Sequence, residues 1–241
     1  MIDIHTHILP EIDDGSKSLE NSIEQVKFMA KNGVTDIVCT PHFIRNYWHN
    51  TAEIISEKFK QLQKAVKDEN IKLHQGCEVY LDENSLQTIQ NQKLNIGNTN
   101  YVLVETMMTE FPVNLFDILY QLVKANFKPI LAHPERYLPI IANFELAENF
   151  MFRDIYLQVN AGSLFGKYGK KSQKTAFKMI DYGFAHFVAS DNHCRNFHYP
   201  LPAAFEVISN QFDEYTANLL TQVNPAKMLQ NENIPIFYLE K

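Results

Sequence analysis

Cysteine is scarce in this 241-residue sequence and never occurs as a close pair. The three cysteines, Cys39, Cys77 and Cys194, lie far apart, and the spacing Cys-x-x-Cys is absent. A disulfide framework and a cysteine-ligated structural zinc site are therefore excluded. This cysteine usage is typical of a protein of the reducing cytosol.

Basic clusters and long apolar runs are also missing. The net charge is −6 and no Lys/Arg-rich run occurs, which argues against a nucleic-acid partner. No apolar stretch approaches the ~20 residues that cross a bilayer, and the start, MIDIH, has no leader-like composition. We expect a cytoplasmic protein that neither inserts into a membrane nor binds nucleic acid.

Short apolar segments alternate with longer amphipathic segments along the chain. Strands are predicted at 2–5, 36–40, 72–78, 101–105, 129–132, 155–159 and 186–190. Helices are predicted at 18–32, 51–69, 114–126, 137–150, 171–182, 203–211, 214–222 and 225–231. No linker or repeat interrupts this order, so a single domain is expected.

Strict alternation of strands and helices implies parallel strands, here seven, either closed as a barrel or opened as a doubly wound sheet. The sequence Gly-x-Gly-x-x-Gly does not follow the first predicted strand, which disfavours a dinucleotide-binding sheet.

Nearly every predicted strand ends in a histidine or an acidic residue. These residues are His5, His7, His42, Glu78, Glu105, His133, Asp191 and His193. A lone histidine at a strand end is usually structural, and an isolated His-x-His is weak evidence. Parallel strands, however, deliver their carboxyl ends to one rim, where so many imidazoles and carboxylates indicate bound divalent cations.

The residues around these positions resemble the polymerase-and-histidinol-phosphatase (PHP) superfamily, and within it the bacterial protein-tyrosine phosphatases of capsular or exopolysaccharide synthesis. The matching segments are IDIHTH (2–7), IDDG (12–15), TPHF (40–43), GCEVY (76–80), AHPERY (132–137) and ASDNH (189–193). The resemblance implies a distorted barrel of seven β/α units, here one domain over 1–241. The metal motifs lie within 2–195 and C-terminal helices within 201–231.

The resemblance further implies three divalent ions at the mouth of the barrel. The first ion would be held by His5, His7, Glu78 and Asp191. Glu78 would bridge to a second ion completed by Glu105 and His133, and the third would lie between Asp14, His42 and His193. Asp13 is adjacent to Asp14, and the residues alone leave that choice open, although the family pattern favours Asp14. Mn²⁺ is the preferred ion, with Fe²⁺, Zn²⁺ or Mg²⁺ as alternatives.

The implied activity is hydrolysis of phosphotyrosine by a hydroxide held between two ions. The implied partner is a phosphotyrosine-bearing protein, the tyrosine-rich tail of a membrane-associated bacterial tyrosine kinase.

Two phosphate-binding arginines are implied as well. Arg136 matches the first of them. The forked N–H donors of a guanidinium can bind two oxygens of a phosphate dianion. The family position of the second holds His198 here, while Arg195 stands three residues earlier. We favour Arg195, which is always charged, and keep His198 as the alternative. The segment 47–49 is either a wall for the substrate ring or a loop packed on the barrel.

Three other readings compete with this one. Cys39 and Arg45 have the bare Cys-x5-Arg spacing of thiol phosphatases, but no glycine cradles a phosphate between them and Pro41 removes a donor. Within the PHP superfamily, a small-molecule phosphatase acting on histidinol phosphate is the nearest rival. A metal-free barrel serving as a binding module is the third.

Overall fold

The computed structural model describes residues 1–48, 50–195 and 199–236. Its strands are β1 (Ile2–Thr6), β2 (Asp36–Cys39), β3 (His42–Phe43), β4 (Lys72–Gln75), β5 (Glu78–Tyr80), β6 (Tyr101–Glu105), β7 (Lys128–Ala132), β8 (Tyr156–Asn160) and β9 (Phe187–Ala189). All paired strands run parallel, which confirms the α/β class expected from the alternation.

Helices fill the connections between the strands. They are α1 (Leu19–Lys31), α2 (Ala52–Ala65), α3 (Ser85–Gln92), α4 (Leu115–Lys124), α5 (Leu138–Ala142), α6 (Glu145–Met151), α7 (Ala161–Leu164), α8 (Lys170–Asp181), α9 (Leu201–Gln211), α10 (Glu214–Asn218) and α11 (Asn224–Leu229). A 3-10 turn spans Pro134–Arg136, and a π-helical turn, Leu219–Val223, joins α10 to α11. The short helices α3 and α7 were not predicted, and the predicted helix 137–150 is wrong as one unit because it breaks at Asn143.

The two longest described helices, α1 and α2, begin at side-chain caps. The Ser18 side chain accepts the N–H of Asn21 at the start of α1, and Thr51 does the same for Ile54 at the start of α2. Each cap satisfies an N–H that has no partner within the helix. Helix α1 then turns its apolar stripe, including Val26 and Met29, into the core.

The strands lie in two sheets, with the orders β1-β2-β4 and β3-β5-β6-β7-β8-β9. The predicted strand 36–40 is confirmed as β2, whereas the predicted strand 72–78 is wrong as one unit, because β4 and β5 lie in different sheets. Pro41, between β2 and β3, lacks the N–H that would continue the hydrogen-bond ladder of β2. Hydrogen bonds from Gly76 N–H to the Cys39 carbonyl and from Glu78 N–H to the Pro41 carbonyl span the break, at 2.9 and 3.0 Å.

The open edge of β1 faces the chain that leaves β9. The Asp191 N–H donates to the His5 carbonyl at 3.0 Å, and the His7 N–H donates to the Asn192 carbonyl at 2.9 Å. The Asp3 carboxylate also accepts the Ser190 N–H, at 3.0 Å. These contacts bring the first and last strands together, although closure of all strands into one barrel stays a prediction.

The inside of the sheets holds its own apolar cluster, with the helices packed on the outside. Ile4, Leu103, Ile130 and Phe187 are fully buried there. The C-terminal segment covers the amino end of the strands: the hydroxyl of Tyr101 donates to the Glu232 carbonyl at 2.6 Å. The carboxyl ends are left open for the functional site.

In the part of the chain that the structure describes, no helix is long and apolar enough to span a bilayer.

Candidate metal centre

The predicted ligands converge on one cavity at the carboxyl ends of the strands. Its volume is about 610 Å³, and seven of the nine predicted ligands line it, namely Asp14, His42, Glu78, Glu105, His133, Asp191 and His193. The other two, His5 and His7, are fully buried beside Glu78 and Asp191. The fold thus brings together every residue of the predicted set.

The first cluster consists of His5, His7, Glu78 and Asp191. The Nε2 atoms of the two histidines are 3.2 Å apart, and each lies 3.2–3.4 Å from Glu78 Oε2 and Asp191 Oδ1. Ligand atoms about 2.1 Å from one ion, at tetrahedral or octahedral angles, are separated by roughly 3.0–3.4 Å. The observed spacing therefore fits a divalent cation.

The second cluster uses the other oxygen of Glu78. Its Oε1 lies 2.9 Å from His133 Nε2, and Glu105 Oε2 lies 3.9 Å from the same nitrogen. Glu78 faces histidines with both oxygens, as a bridging carboxylate would. His42 also reaches this cluster: its Nδ1 is 3.1 Å from Glu78 Oε2 and 3.0 Å from Glu105 Oε1.

The third cluster is formed around Asp14. Its Oδ1 lies 3.2 Å from His193 Nε2 and 3.6 Å from His42 Nε2. The same oxygen is buried without a hydrogen-bond partner among the described residues, an arrangement that a bound cation would satisfy. His42 thus lies between the second and third clusters, whereas the sequence reading assigned it to the third alone.

Asp13 and Asp14 have different surroundings. Asp13 Oδ2 accepts from His7 Nδ1 at 2.8 Å and from the His42 N–H at 3.0 Å. A carboxylate on the far nitrogen fixes the tautomer that leaves the other nitrogen free for a metal. Asp13 therefore orients a candidate ligand, while Asp14 faces the cluster itself. A Cβ at Gly15 would lie 2.0 Å from the His7 carbonyl oxygen, so only glycine permits this close turn.

Replacing Asp13 with asparagine is expected to weaken metal binding about tenfold, because an amide no longer holds the His7 Nδ1 proton as firmly. Titration of the metal-free protein with Mn²⁺ measures the change. Asp68→Asn, at an exposed position, is the matched control. Unchanged affinity in Asp13→Asn would contradict the orienting role.

Two polar residues of β8 support the first cluster and were not predicted from the sequence. Gln158 Oε1 accepts from His5 Nδ1 at 2.8 Å, and Gln158 Nε2 donates to Asn160 Oδ1 at 2.9 Å. Asn160 Nδ2 in turn donates to Asp191 Oδ2 at 2.7 Å. The available signal was two amides at i and i+2 in an otherwise apolar strand, which places both on one face.

Two candidate ligand residues that follow strands have left-handed backbones. The φ angle is 40° at His133 and 52° at Asp191, conformations that cost roughly 1–3 kcal/mol for a residue with a side chain. At His133 this turn starts the 3-10 segment that carries Arg136 to the cavity. The strained backbone at His133 thus positions both a candidate ligand and the Arg136 guanidinium.

The electrostatics favour positive charge in the site. Burial alone lowers the pKa of His5, but the carboxylates of Glu78 and Asp191 outweigh it and raise that pKa to about 9. Burial likewise raises the pKa of Glu78, yet the surrounding imidazoles hold it well below its usual range. The carboxylates thus attract protons to the histidines when cations are absent, and metal binding would release those protons.

Arg136 and Arg195 both line the cavity. Arg136 Nη1 donates to Asp191 Oδ2 at 3.2 Å, and its guanidinium stacks over the Tyr168 ring, 4.1 Å from the centroid. Arg195 Nη2 donates to Asp14 Oδ2 at 2.7 Å, and its side chain is 67% exposed at the rim. His198 lies outside the described residues, so the choice between it and Arg195 stays a prediction.

The apolar wall of the cavity comes from Met108, Phe165 and Tyr168, which the sequence reading missed. Tyr47 is largely exposed and packs edge-on against Trp48, and neither belongs to the cavity lining among the described residues. His49, the third member of that segment, lies outside the described residues.

The structure does not support a cysteine-dependent phosphatase mechanism. Cys39 lies fully buried in β2, and burial raises the pKa of its thiol. A buried thiol held protonated is a poor nucleophile. Arg45, on the loop after β3, is paired with Asp82 Oδ2 at 3.0 Å.

Parallel strands that deliver imidazoles and carboxylates at ligand spacing into one cavity, beside an arginine, define a class of metal-dependent hydrolases with an α/β fold. Within that class, the family model described as capsular polysaccharide synthesis, CpsB/CapC, matches residues 1–230. The chain belongs to the CpsB/CapC family. The resemblance drawn from the sequence motifs is thereby confirmed.

Individual relatives agree with this assignment. The chain is 32% identical over 241 residues to YwqE of Bacillus subtilis, a tyrosine-protein phosphatase, with 97% of this chain and 93% of that protein covered. A structure from the work on YwqE and on CpsB of Streptococcus pneumoniae, described as metal-dependent tyrosine phosphatases, matches with a TM-score of 0.91 at 28% identity. That match covers 97% of this chain and 96% of the other.

A more distant structural match shows the fold alone. Histidinol phosphate phosphatase from Lactococcus lactis matches with a TM-score of 0.56 at 14% identity, over 91% of this chain and 95% of that one.

Proposed function

We propose that this protein is a metal-dependent protein-tyrosine phosphatase. The observation that carries the proposal is the convergence of three His/carboxylate clusters and Arg136 on one cavity. Membership of a family whose relative YwqE is a tyrosine-protein phosphatase supports it.

Three divalent ions would occupy the three clusters, and Mn²⁺ is the preferred metal. His5, His7, Glu78 and Asp191 would hold the first ion, with Glu78, Glu105 and His133 around the second and Asp14, His42 and His193 around the third. When bound, such ions polarise phosphoryl oxygens and lower the pKa of bound water. Together with the four carboxylates they leave a formal charge of about +2, so a dianion is attracted locally to an acidic protein.

The chain itself would bind and orient the phosphate. Arg136 presents its guanidinium at the cavity, where Tyr168 and Asp191 hold it from two sides. A fork of N–H donors suits the developing charge on a transferring phosphoryl group. The tyrosyl ring would lie against Met108 and Phe165 in a volume, about 610 Å³, that is ordinary for a small-ligand pocket.

Chelation provides the test of this mechanism. We expect EDTA to abolish hydrolysis of a phosphotyrosyl peptide and Mn²⁺ to restore it best within a series of Mn²⁺, Fe²⁺, Zn²⁺ and Mg²⁺. Cys39→Ser is expected to retain wild-type activity, because its thiol is buried away from the cavity. Activity that survives EDTA but vanishes in Cys39→Ser would overturn the proposal.

A small-molecule phosphatase remains the rival function, because the histidinol phosphate phosphatase shares the fold. Relative kcat/KM on a phosphotyrosyl peptide and on histidinol phosphate decides between them. Metal analysis addresses the other alternative: a purified protein with no bound metal and no activity gained on Mn²⁺ addition would be a binding module.

The proposal extends to the substrate, the cellular compartment and the overall architecture. The substrate would be a phosphotyrosine-bearing protein, specifically the tyrosine-rich tail of a membrane-associated bacterial tyrosine kinase, reached from the cytoplasm. The two sheets would act as one distorted barrel in a single domain over residues 1–241, supported by the hydrogen bonds from Asp191 to His5 and from Gly76 to Cys39.

A further inference from the structure

A second cavity adjoins the candidate metal centre. It measures about 520 Å³ and shares Met108, Arg136 and Tyr168 with the first cavity. Any ligand that places a phosphotyrosine beside Arg136 can therefore continue into this second space.

The second cavity has two chemically different walls. Met108, Leu138 and Ile141 form an apolar wall, and Leu138 is 52% exposed. Lys170 and Lys171 form a basic wall, and no carboxylate residue lines the cavity among the described residues. Within the same part of the chain neither lysine has an ion pair, whereas Lys58 is paired with Glu11. The second cavity thus keeps its positive charge in a protein of net charge −6.

The loop before α8 builds this basic wall. Gly166 and Gly169 have φ angles of 74° and 93°, which let the chain turn twice within FGKYGKK (165–171). Lys170 and Lys171 then start α8, whose first turn holds no acidic residue. Helices α1 and α2, by contrast, carry Glu20 and Glu53 there. Since a helix start favours negative charge, the two lysines add to its positive potential instead of neutralising it.

We propose that the second cavity binds acidic residues flanking the phosphotyrosine of a peptide substrate. The inference rests on the proposed phosphatase function and specifies its substrate class: an acidic phosphopeptide. An extended peptide advances about 3.3–3.6 Å per residue, so the residues next to the phosphotyrosine span the adjoining space. Their carboxylates pair with Lys170 and Lys171, and their apolar atoms pack on Leu138 and Ile141.

The test compares three substrates on three proteins. The substrates are a phosphotyrosyl peptide with glutamates on both sides, the same peptide with glutamines, and p-nitrophenyl phosphate. The proteins, all loaded with Mn²⁺, are the wild type, Lys170→Ala/Lys171→Ala, and the control Lys60→Ala/Lys174→Ala. The control removes the same charge from exposed positions that line neither cavity.

We expect the lysine pair variant to lose about fivefold in kcat/KM on the glutamate peptide, through KM, as two exposed charge pairs allow. Its activity on the glutamine peptide and on p-nitrophenyl phosphate should stay within about twofold, as should the control on all three. Added salt should erase the wild-type preference for the glutamate peptide. No preference in the wild type, or an equal loss on all three substrates, would overturn the inference.

Failure of the phosphatase function itself has a different signature: the wild type would hydrolyse none of the substrates. Fluorescence polarisation with a labelled glutamate peptide carrying a non-hydrolysable phosphonate then decides the inference separately. Binding that weakens about fivefold in the lysine pair variant alone supports the second cavity as the acidic subsite. Equal binding to all three proteins rejects it.

Discussion

Replacing Glu78 with glutamine is expected to lower kcat/KM on a phosphotyrosyl peptide by about 10³-fold or more, since metal electrostatics contribute several kcal/mol. Glu78 faces His5 and His7 with Oε2, at 3.2 and 3.3 Å, and His133 with Oε1, at 2.9 Å. The amide removes the negative charge from both clusters while keeping the side-chain volume. The variant should also bind fewer ions per chain, measured by elemental analysis alongside the kinetics.

Glu83→Gln is the matched control for this experiment. Glu83 is exposed, pairs with Arg45 at 3.3 Å and does not line the cavity. It should keep wild-type metal content and activity. Full activity and full metal content in Glu78→Gln would refute the bridging role.

Arg136→Ala is expected to lower kcat/KM on the same peptide by about 100-fold, as for other charged groups that stabilise a transferring phosphoryl group. Arg136→Lys should recover only part of the loss, because an ammonium lacks the fork of donors. Metal content should stay unchanged, since Arg136 is not one of the proposed ligands. Steady-state kinetics with elemental analysis of each variant separates this effect from that of Glu78.

Arg153→Ala is the control for arginine loss as such. The Arg153 guanidinium also stacks on an aromatic ring, 4.6 Å from the centroid of Phe116, but it lies away from the cavity. Activity of Arg136→Ala equal to that of Arg153→Ala would exclude Arg136 from phosphate binding. The same assay on Arg195→Ala and His198→Gln decides which of these residues is the second phosphate contact.

Most of the candidate ligands were predictable because their signal is local and positional, whereas Asp14 and the grouping around three ions came from the resemblance to the family. A histidine or carboxylate at the end of a predicted strand needs only the strand assignment to be placed at the common rim of a parallel fold. Asp191 and Glu105 could therefore be placed at the same rim as His5 without knowing any distance. The buried state of Cys39 followed in the same way, from its position inside a strand.

Residues that act across sequence distance were less accessible. Gln158 supports His5 over 153 positions, and nothing local in either residue indicates the pair. The split of the predicted strand 72–78 into β4 and β5 depended on how the β1-β2-β4 sheet diverges from its neighbour. The choice between Asp13 and Asp14 rested on which carboxylate turns toward His7 Nδ1, a matter of side-chain direction.

The sequence by itself determined the parallel α/β class, the family and the identity of the candidate ligands, because strand periodicity and motif order are properties of the chain alone. The resemblance already placed Glu78 between two ions, but only the tertiary structure showed that His42 lies between the second and third clusters. It alone revealed the second cavity, because Met108, Leu138 and Lys170 come from separate segments whose proximity depends on packing. Distances of a few ångströms decide coordination and substrate contact, and they are set only when the whole fold has formed.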